Sequence, residues 1–145
     1  WLAISPYDFK DGLIYIDKNK YDGNIYQSKL LWTLGNYSRF IRPGMFRYNV
    51  IRSDNKTDEL AAKSLMVFGY GTEDQSKAVF VLVNYSKYTT YTIGFKTNLN
   101  RKAKSMRVYT TSAKEDENLR LTIPEDFSKL QSIAPRSVVT VVLEF

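Results

Sequence analysis

Leu30, Leu34, Tyr37 and Ile41 stand at i, i+4, i+7 and i+11, one apolar stripe at helical period. The pattern predicts a helix over residues 25–42. Pro43 pushes Arg42 out of the helical region and Gly44 supplies permissive backbone beyond it, so the helix stops there. Arg39 and Arg42 fall in its last turn, where cations complement the dipole. At about 100° per residue Trp32 lies almost opposite the stripe, close to Arg39. A helix that is large and apolar on two sides belongs between two packed layers, so this one reads as a joint.

Before the helix, residues 1–4 are a short apolar run and residues 5–12 a loop dense in turn residues and aromatics. Residues 13–16 form a brief strand, followed by turns through Asp17 and the Asp22-Gly23-Asn24 triplet. Beyond Gly44 the texture changes to short strands separated by regular turns, the pattern of an antiparallel β-sandwich. Strands are expected over 46–51, 63–70, 78–84, 89–95, 103–111, 119–123 and 138–145, with polar loops at 52–59 and 114–118. Phe80 and Leu82 point to one face and Val79, Val81 and Val83 to the other, which predicts a central strand covered on both sides. Tyr91, Ile93 and Phe95 share a face, Met106 and Val108 are buried, and Val139, Val141 and Leu143 point inward. Pairing of the last strand with an earlier one is long-range, as a Greek-key return requires. The fold class is mainly β, a Greek-key sandwich with one N-terminal helix.

The 145 residues amount to one domain's worth of core. No apolar run reaches the roughly 18 residues of a membrane span, and no signal peptide is visible. The chain opens on Trp1 in an apolar run without a preceding turn, as a segment of a longer protein would. There are no cysteines and no histidines. That removes thiol chemistry, Ser-His-Asp and Cys-His arrangements and zinc sites of His/Cys type. The net charge is +6, but the basic residues are scattered. The one tight cluster, Arg101-Lys102-Lys104, reads as a solvated turn, not a nucleic-acid surface. Asn-x-Ser/Thr triplets at Asn36, Asn55 and Asn84 read as chance, with Asn36 inside the helix a poor acceptor. A cation site among Asp54, Asp58 and Glu59 lacks EF-hand spacing, and no cofactor or metal is called for. Tyr85, Tyr88 and Tyr91 could form a carbohydrate platform, but cross-strand aromatic packing explains the row more simply.

The block Leu34-Gly35-Asn36-Tyr37-Ser38-Arg39-Phe40-Ile41-Arg42-Pro43-Gly44 closely resembles a signature of family 30 glycoside hydrolases, at the last barrel helix and the step into a side β-sandwich. Trp1-Leu2-Ala3 with Ser5-Pro6-Tyr7-Asp8 resembles the eighth barrel strand and its loop in β-1,6-galactanase and β-1,6-glucanase relatives. Thr111-Ser112-Ala113 with Asn118-Leu119 is similar to the sandwich's late hairpin, and Pro135-Arg136-Ser137-Val138-Val139-Thr140 to its final strand.

The resemblance implies that residues 1–44 are the last strand, loop and helix of a truncated (β/α)8 barrel, and residues 45–145 the side sandwich. It also implies a retaining glycosidase whose two glutamates stand roughly 5–5.5 Å apart, at the ends of the fourth and seventh barrel strands. This chain begins near the eighth, so neither is expected in it. The segment is then a non-catalytic part of an enzyme acting on β-linked glycans, with β-1,6-galactan or β-1,6-glucan favoured over xylan or glucosylceramide-type substrates. Its partners are the rest of the barrel and a poly- or oligosaccharide, in a secreted, periplasmic or cell-surface setting. Trp1 would offer an aromatic face to a sugar, or pack as a barrel residue; Tyr7, Asp8 and Lys10 would rim the cleft, with turn chemistry the competing role of Tyr7 and Asp8. The other class of reading is an independent carbohydrate-binding or adhesion sandwich.

Overall fold

The structure, a computed structural model, describes residues 11–16, 21, 23–96, 101–126 and 131–145. The expected strand at 1–4 and the residues Trp1, Tyr7, Asp8 and Lys10 lie outside the described residues. Ten strands and two helices are formed. They are β1 (Ile14–Ile16), β2 (Ile25–Gln27), α1 (Lys29–Ser38), β3 (Phe46–Tyr48), α2 (Asp58–Ala62), β4 (Leu65–Gly71) and β5 (Lys77–Asn84), then β6 (Tyr91–Ile93), β7 (Ser105–Thr111), β8 (Arg120–Thr122), β9 (Gln131–Ile133) and β10 (Ser137–Glu144).

The centre is a six-stranded antiparallel sheet in the order β3-β4-β5-β10-β7-β8. The last strand enters between two earlier ones: Val141 stands opposite Phe80 of β5 and Val108 of β7. This is the long-range return expected of a Greek key. One face of the sheet buries Leu82, Met106, Val108, Val139, Val141 and Leu143 beneath a second, two-stranded layer of β6 and β9. Phe80 and Phe95 meet across this interface with ring centroids 4.9 Å apart. The opposite face buries Val79, Val81, Val138 and Val142 beneath α1. Strands β5 and β10 are therefore covered on both sides, which explains why β10 reads as a near-continuous apolar run.

Several sequence expectations need correction. The segment 25–27 is not the start of the helix but strand β2, paired with β1 in a hairpin. Ser28 ends it: its side chain accepts from the Leu31 amide, while its own N–H and hydroxyl both donate to the Leu13 carbonyl at 3.0 Å. A serine N-cap fixes a helix start because it satisfies an amide that the first turn leaves orphaned. The helix also stops at Ser38, four residues early. Arg39 is its C-cap, and Arg42 reaches back to donate from Nη1 to the Ser38 carbonyl at 3.0 Å. Gly44 takes the positive φ (88°) that the turn out of the helix needs. The loop expected at 52–59 runs into helix α2, capped by Thr57, so the following strand begins at Leu65. Strand β9 lay unmarked in the sequence, though its Ile133 is fully buried.

Candidate functional site

The two faces of α1 differ sharply, and the stripe read from the sequence is divided between them. Leu30 and Leu34 are 45% and 48% exposed on the outward face. Tyr37 and Ile41 instead join Trp32 and Phe40 against the sheet. Phe40 stacks on Tyr109 of β7 with centroids 4.4 Å apart, and the Arg39 guanidinium lies within 6 Å of both rings, at 5.7 and 5.8 Å. Burial also pushes the Tyr37 hydroxyl up to about 12, with Tyr70 adding to the shift.

At the middle of this seam sits Asn36, 0% exposed. A buried amide is costly unless its groups are paired, and here they are. Its Nδ2 donates to Thr111 Oγ1 on β7 at 2.8 Å and to the Trp32 carbonyl at 3.0 Å. Thr140 Oγ1 on β10 lies 2.8 Å from the Asn36 carbonyl and 2.9 Å from its Oδ1, so one hydroxyl proton is shared between two acceptors. The Phe40 amide turns to Tyr37 instead, and Thr140 occupies the Asn36 carbonyl. Thr111 Oγ1 in turn accepts from the Leu119 amide at 3.0 Å. Next to it, a Cβ on Gly35 would stand 2.9 Å from Leu119 Cδ1, so glycine lets the helix settle this close to the β7–β8 turn.

Two clefts open beside the N-terminal end of α1. The first, about 360 Å³, is lined by Lys29, Thr33, Asn84, Tyr85, Ser112 and Arg136 among others. The second, about 430 Å³, includes Tyr26, Lys29, Trp32, Glu115 and Asn118. Between them Lys29 ties the helix to the loop before β8, donating from Nζ to the Lys114 carbonyl, to Asn118 Oδ1 at 2.7 Å and to the Glu117 carbonyl at 3.3 Å. The first cleft has no acidic lining residue and the second has Glu115 alone. Hydrolysis by acid/base chemistry needs two carboxyls flanking one bond, and neither cleft supplies them. Glu59, Glu117 and Glu144 are each engaged with a cation, Lys63, Lys114 and Arg107 respectively.

The other candidates resolve as follows. Asp54, weighed as a cation ligand, is gripped by Arg52 through two hydrogen bonds of 2.8 and 2.6 Å, which hold its carboxyl down at about 2. Among the described residues no group of three or more acidic side chains converges on a common point. Asn36 and Asn84 are buried, so only Asn55 of the three triplets is exposed. The tyrosine row does not form. Tyr91 stands opposite Ile133 and packs into the core, whereas Tyr85 and Tyr88 are 55% and 90% exposed. Cross-strand packing therefore accounts for one of the three.

Among solved structures, a conserved exported protein from Bacteroides fragilis is 34% identical with a TM-score of 0.74, over 90% of this chain and 26% of that one. A family 30 endoxylanase from Clostridium papyrosolvens C71 is 23% identical with a TM-score of 0.59, over 82% of this chain and 28% of that one. A family 30 subfamily 8 xylanase from Clostridium acetobutylicum is 19% identical with a TM-score of 0.62, over 83% and 29%. The chain thus spans between about a quarter and under a third of the length of these matches. No protein-family model matches the sequence. Over most of its length the chain shares its fold with part of each of these two xylanases.

Proposed function

We propose that the chain is the non-catalytic C-terminal part of a retaining glycoside hydrolase that cleaves β-linked glycans. The observation that carries this reading is the asymmetry of α1. One face is sealed onto the sheet by the Asn36 latch, with Phe40 just past the helix, while the other leaves Leu30 and Leu34 exposed. In the proposal that outward face receives the rest of the barrel, and residues 1–44 complete it. Trp1, Tyr7, Asp8 and Lys10 then rim the catalytic cleft, at the carboxyl end of the last barrel strand. The fold shared with the family 30 xylanases over most of the chain supports the reading. So does the want of a carboxylate pair in either cleft.

For the substrate, the Ser5-Pro6-Tyr7-Asp8 loop favours β-1,6-galactan or β-1,6-glucan, and xylan is what the two matched enzymes are named for. Export to the periplasm, the surface or the medium is proposed with it, supported by the likeness to an exported Bacteroides fragilis protein. Among the described residues no helix is long and apolar enough to cross a membrane. The test is turnover of β-1,6-galactan, β-1,6-glucan, xylan and aryl β-glycosides by this chain alone and by an enzyme that contains it. The expected result is no turnover above buffer for the chain alone. Robust turnover lost on Glu115→Gln or Glu117→Gln would overturn the reading.

A further inference from the structure

We propose that the turn after β5, together with Arg136, forms a second glycan-binding site on the sandwich, and that it takes a carboxylate-bearing polysaccharide. The idea rests on the glycan-directed reading above and adds to it a site and a ligand chemistry. Two loops meet here, and a buried side chain locks them. Asn84, 2% exposed, donates from Nδ2 to the carbonyls of Thr89 (2.8 Å), Ala134 (2.9 Å) and Ile133 (3.1 Å). Its Oδ1 accepts from the Ser86 amide at 3.0 Å. Ser86 Oγ then accepts from the amides of Thr89 (3.0 Å) and Tyr88 (3.4 Å), and the Ser86 carbonyl accepts from the Arg136 amide at 3.1 Å.

What this rigid pair of loops holds outward is chemistry that the fold does not use. Arg136 keeps a positive φ of 51°, a region unfavourable to a residue with a Cβ. Such strain persists where surrounding contacts over-determine it, and it is enriched at sites. Its guanidinium lies 4.9 Å from the centroid of the Tyr85 ring. No acidic residue lines the adjoining cleft. One side of the Tyr85 ring is covered by Arg136, yet more than half of the residue remains exposed, and Tyr88 on the same turn is almost fully so.

A planar cation beside open aromatic rings fits a sugar that presents a carboxylate to the fork and its C–H face to a ring. Preordered loops lower the entropic cost of holding it. Nucleic acid would also offer anions and stacking, but it calls for a run of phosphate contacts, and the other cation lining the adjoining cleft, Lys29, already donates to the 114–118 loop. Contact with one sugar at a time is weak, and retention on a polymer arises from many such sites.

The experiment is affinity electrophoresis of the full chain in gels containing polygalacturonate, neutral β-galactan or duplex DNA. Polygalacturonate should retard the chain more than either other polymer. Arg136→Asn, whose side chain tolerates the same backbone region, should weaken retention by ~10-fold, the scale of one lost charged hydrogen bond. Arg136→Lys keeps the charge but loses the fork and should also weaken it, as should Tyr85→Ala. Lys102→Glu, which changes charge elsewhere, should change little. Each variant's melting temperature reports whether it is folded. Absence of retardation, equal retardation of Arg136→Lys and wild type, or equal retardation by DNA would each overturn the proposal. Polymer retention by a chain that also hydrolyses glycans unaided would sink the earlier reading and leave this one standing. No retention, with the chain still inactive alone and required for turnover, would do the reverse.

Discussion

The two sides of α1 and the turn after it both carry apolar residues but have opposite fates. Toward the sheet, Trp32, Tyr37, Phe40 and Ile41 are packed around a fully buried asparagine. Away from it, Leu30 and Leu34 stay about half exposed, and Ile25 and Tyr26 of β2 are exposed too. The larger aromatic side chains favour the sheet side, and polar pairing reinforces that choice. The polar groups paired in this orientation are the Asn36 amide, the Thr111 and Thr140 hydroxyls, and a helix carbonyl. Turning the helix to bury Leu30 and Leu34 would strand Thr140 in the middle of an apolar strand, and an unpaired buried hydroxyl costs on the order of 1–3 kcal/mol.

The sharpest way to break the comparison is to truncate one large side chain on each face. Phe40→Ala should destabilise the chain by about 3–5 kcal/mol, the range for large-to-small changes at buried aromatic sites. Leu34→Ala should stay within about 0.5 kcal/mol, as surface substitutions do. Urea denaturation followed by tryptophan fluorescence would read both. Comparable losses at the two positions would mean that the outward face is covered in solution.

The latch gives the next largest effect. Asn36→Ala leaves Thr111 and Thr140 short of a partner and should cost about 2–3 kcal/mol, and Thr140→Val about 1–2 kcal/mol. The double variant should lose less than the sum, with a coupling of about 0.5–3 kcal/mol, because both changes remove the same bonds. Strict additivity would show that the two side chains do not act together.

These residues also mark where the sequence was legible and where it was not. The alternation in β5 placed Phe80 and Leu82 on one face and the valines on the other, because a central strand writes both faces into one short run. The Pro43-Gly44 signal misplaced the helix end, because α1 already stops at Ser38, four residues before the expected Arg42. Asn36 was invisible as a core residue, since periodicity counts it as a polar break in a helix and left open which of the two apolar faces meets the sheet. A signal did exist in Thr140, one polar residue inside Ser137-Val138-Val139-Thr140-Val141-Val142, which had to find a partner across the seam. Ser28 and Thr57 were readable N-caps, and reading them would have moved the start of α1 to Lys29 and revealed α2. Strand β9 has three residues and no pattern to read. Of the site, Tyr91 was explained by packing, while the exposure of Tyr85 and Tyr88 depends on a loop geometry set by Asn84 and a distant turn.

A change on the outward face separates folding from partnership. Leu30→Lys with Leu34→Glu should shift the stability of the chain by no more than about 0.5 kcal/mol for each residue. The same pair placed in the complete enzyme should lower its melting temperature and its turnover, since both charges would then be taken out of water in the proposed barrel contact. Unchanged turnover and melting temperature in the complete enzyme would remove the outward face as an intramolecular interface.

The smallest effect is read with pH and belongs to the sealed face. Burial raises the Tyr37 hydroxyl to about 12, against about 10 for an unfolded tyrosine. Between these values the folded chain still holds a proton that the unfolded chain has lost. Stability therefore falls as pH rises, with the contribution whole below pH 10 and gone once the pH passes about 12. Tyr37→Phe removes the titration, so wild type should lose stability relative to the variant as the pH rises from about 8 to about 10.5. Taking the difference between the two proteins cancels the other ten tyrosines, which number eleven in all with Tyr37. Parallel stability curves through pH 10.5 would mean that water reaches the Tyr37 hydroxyl, and that the seam opens at its C-terminal end.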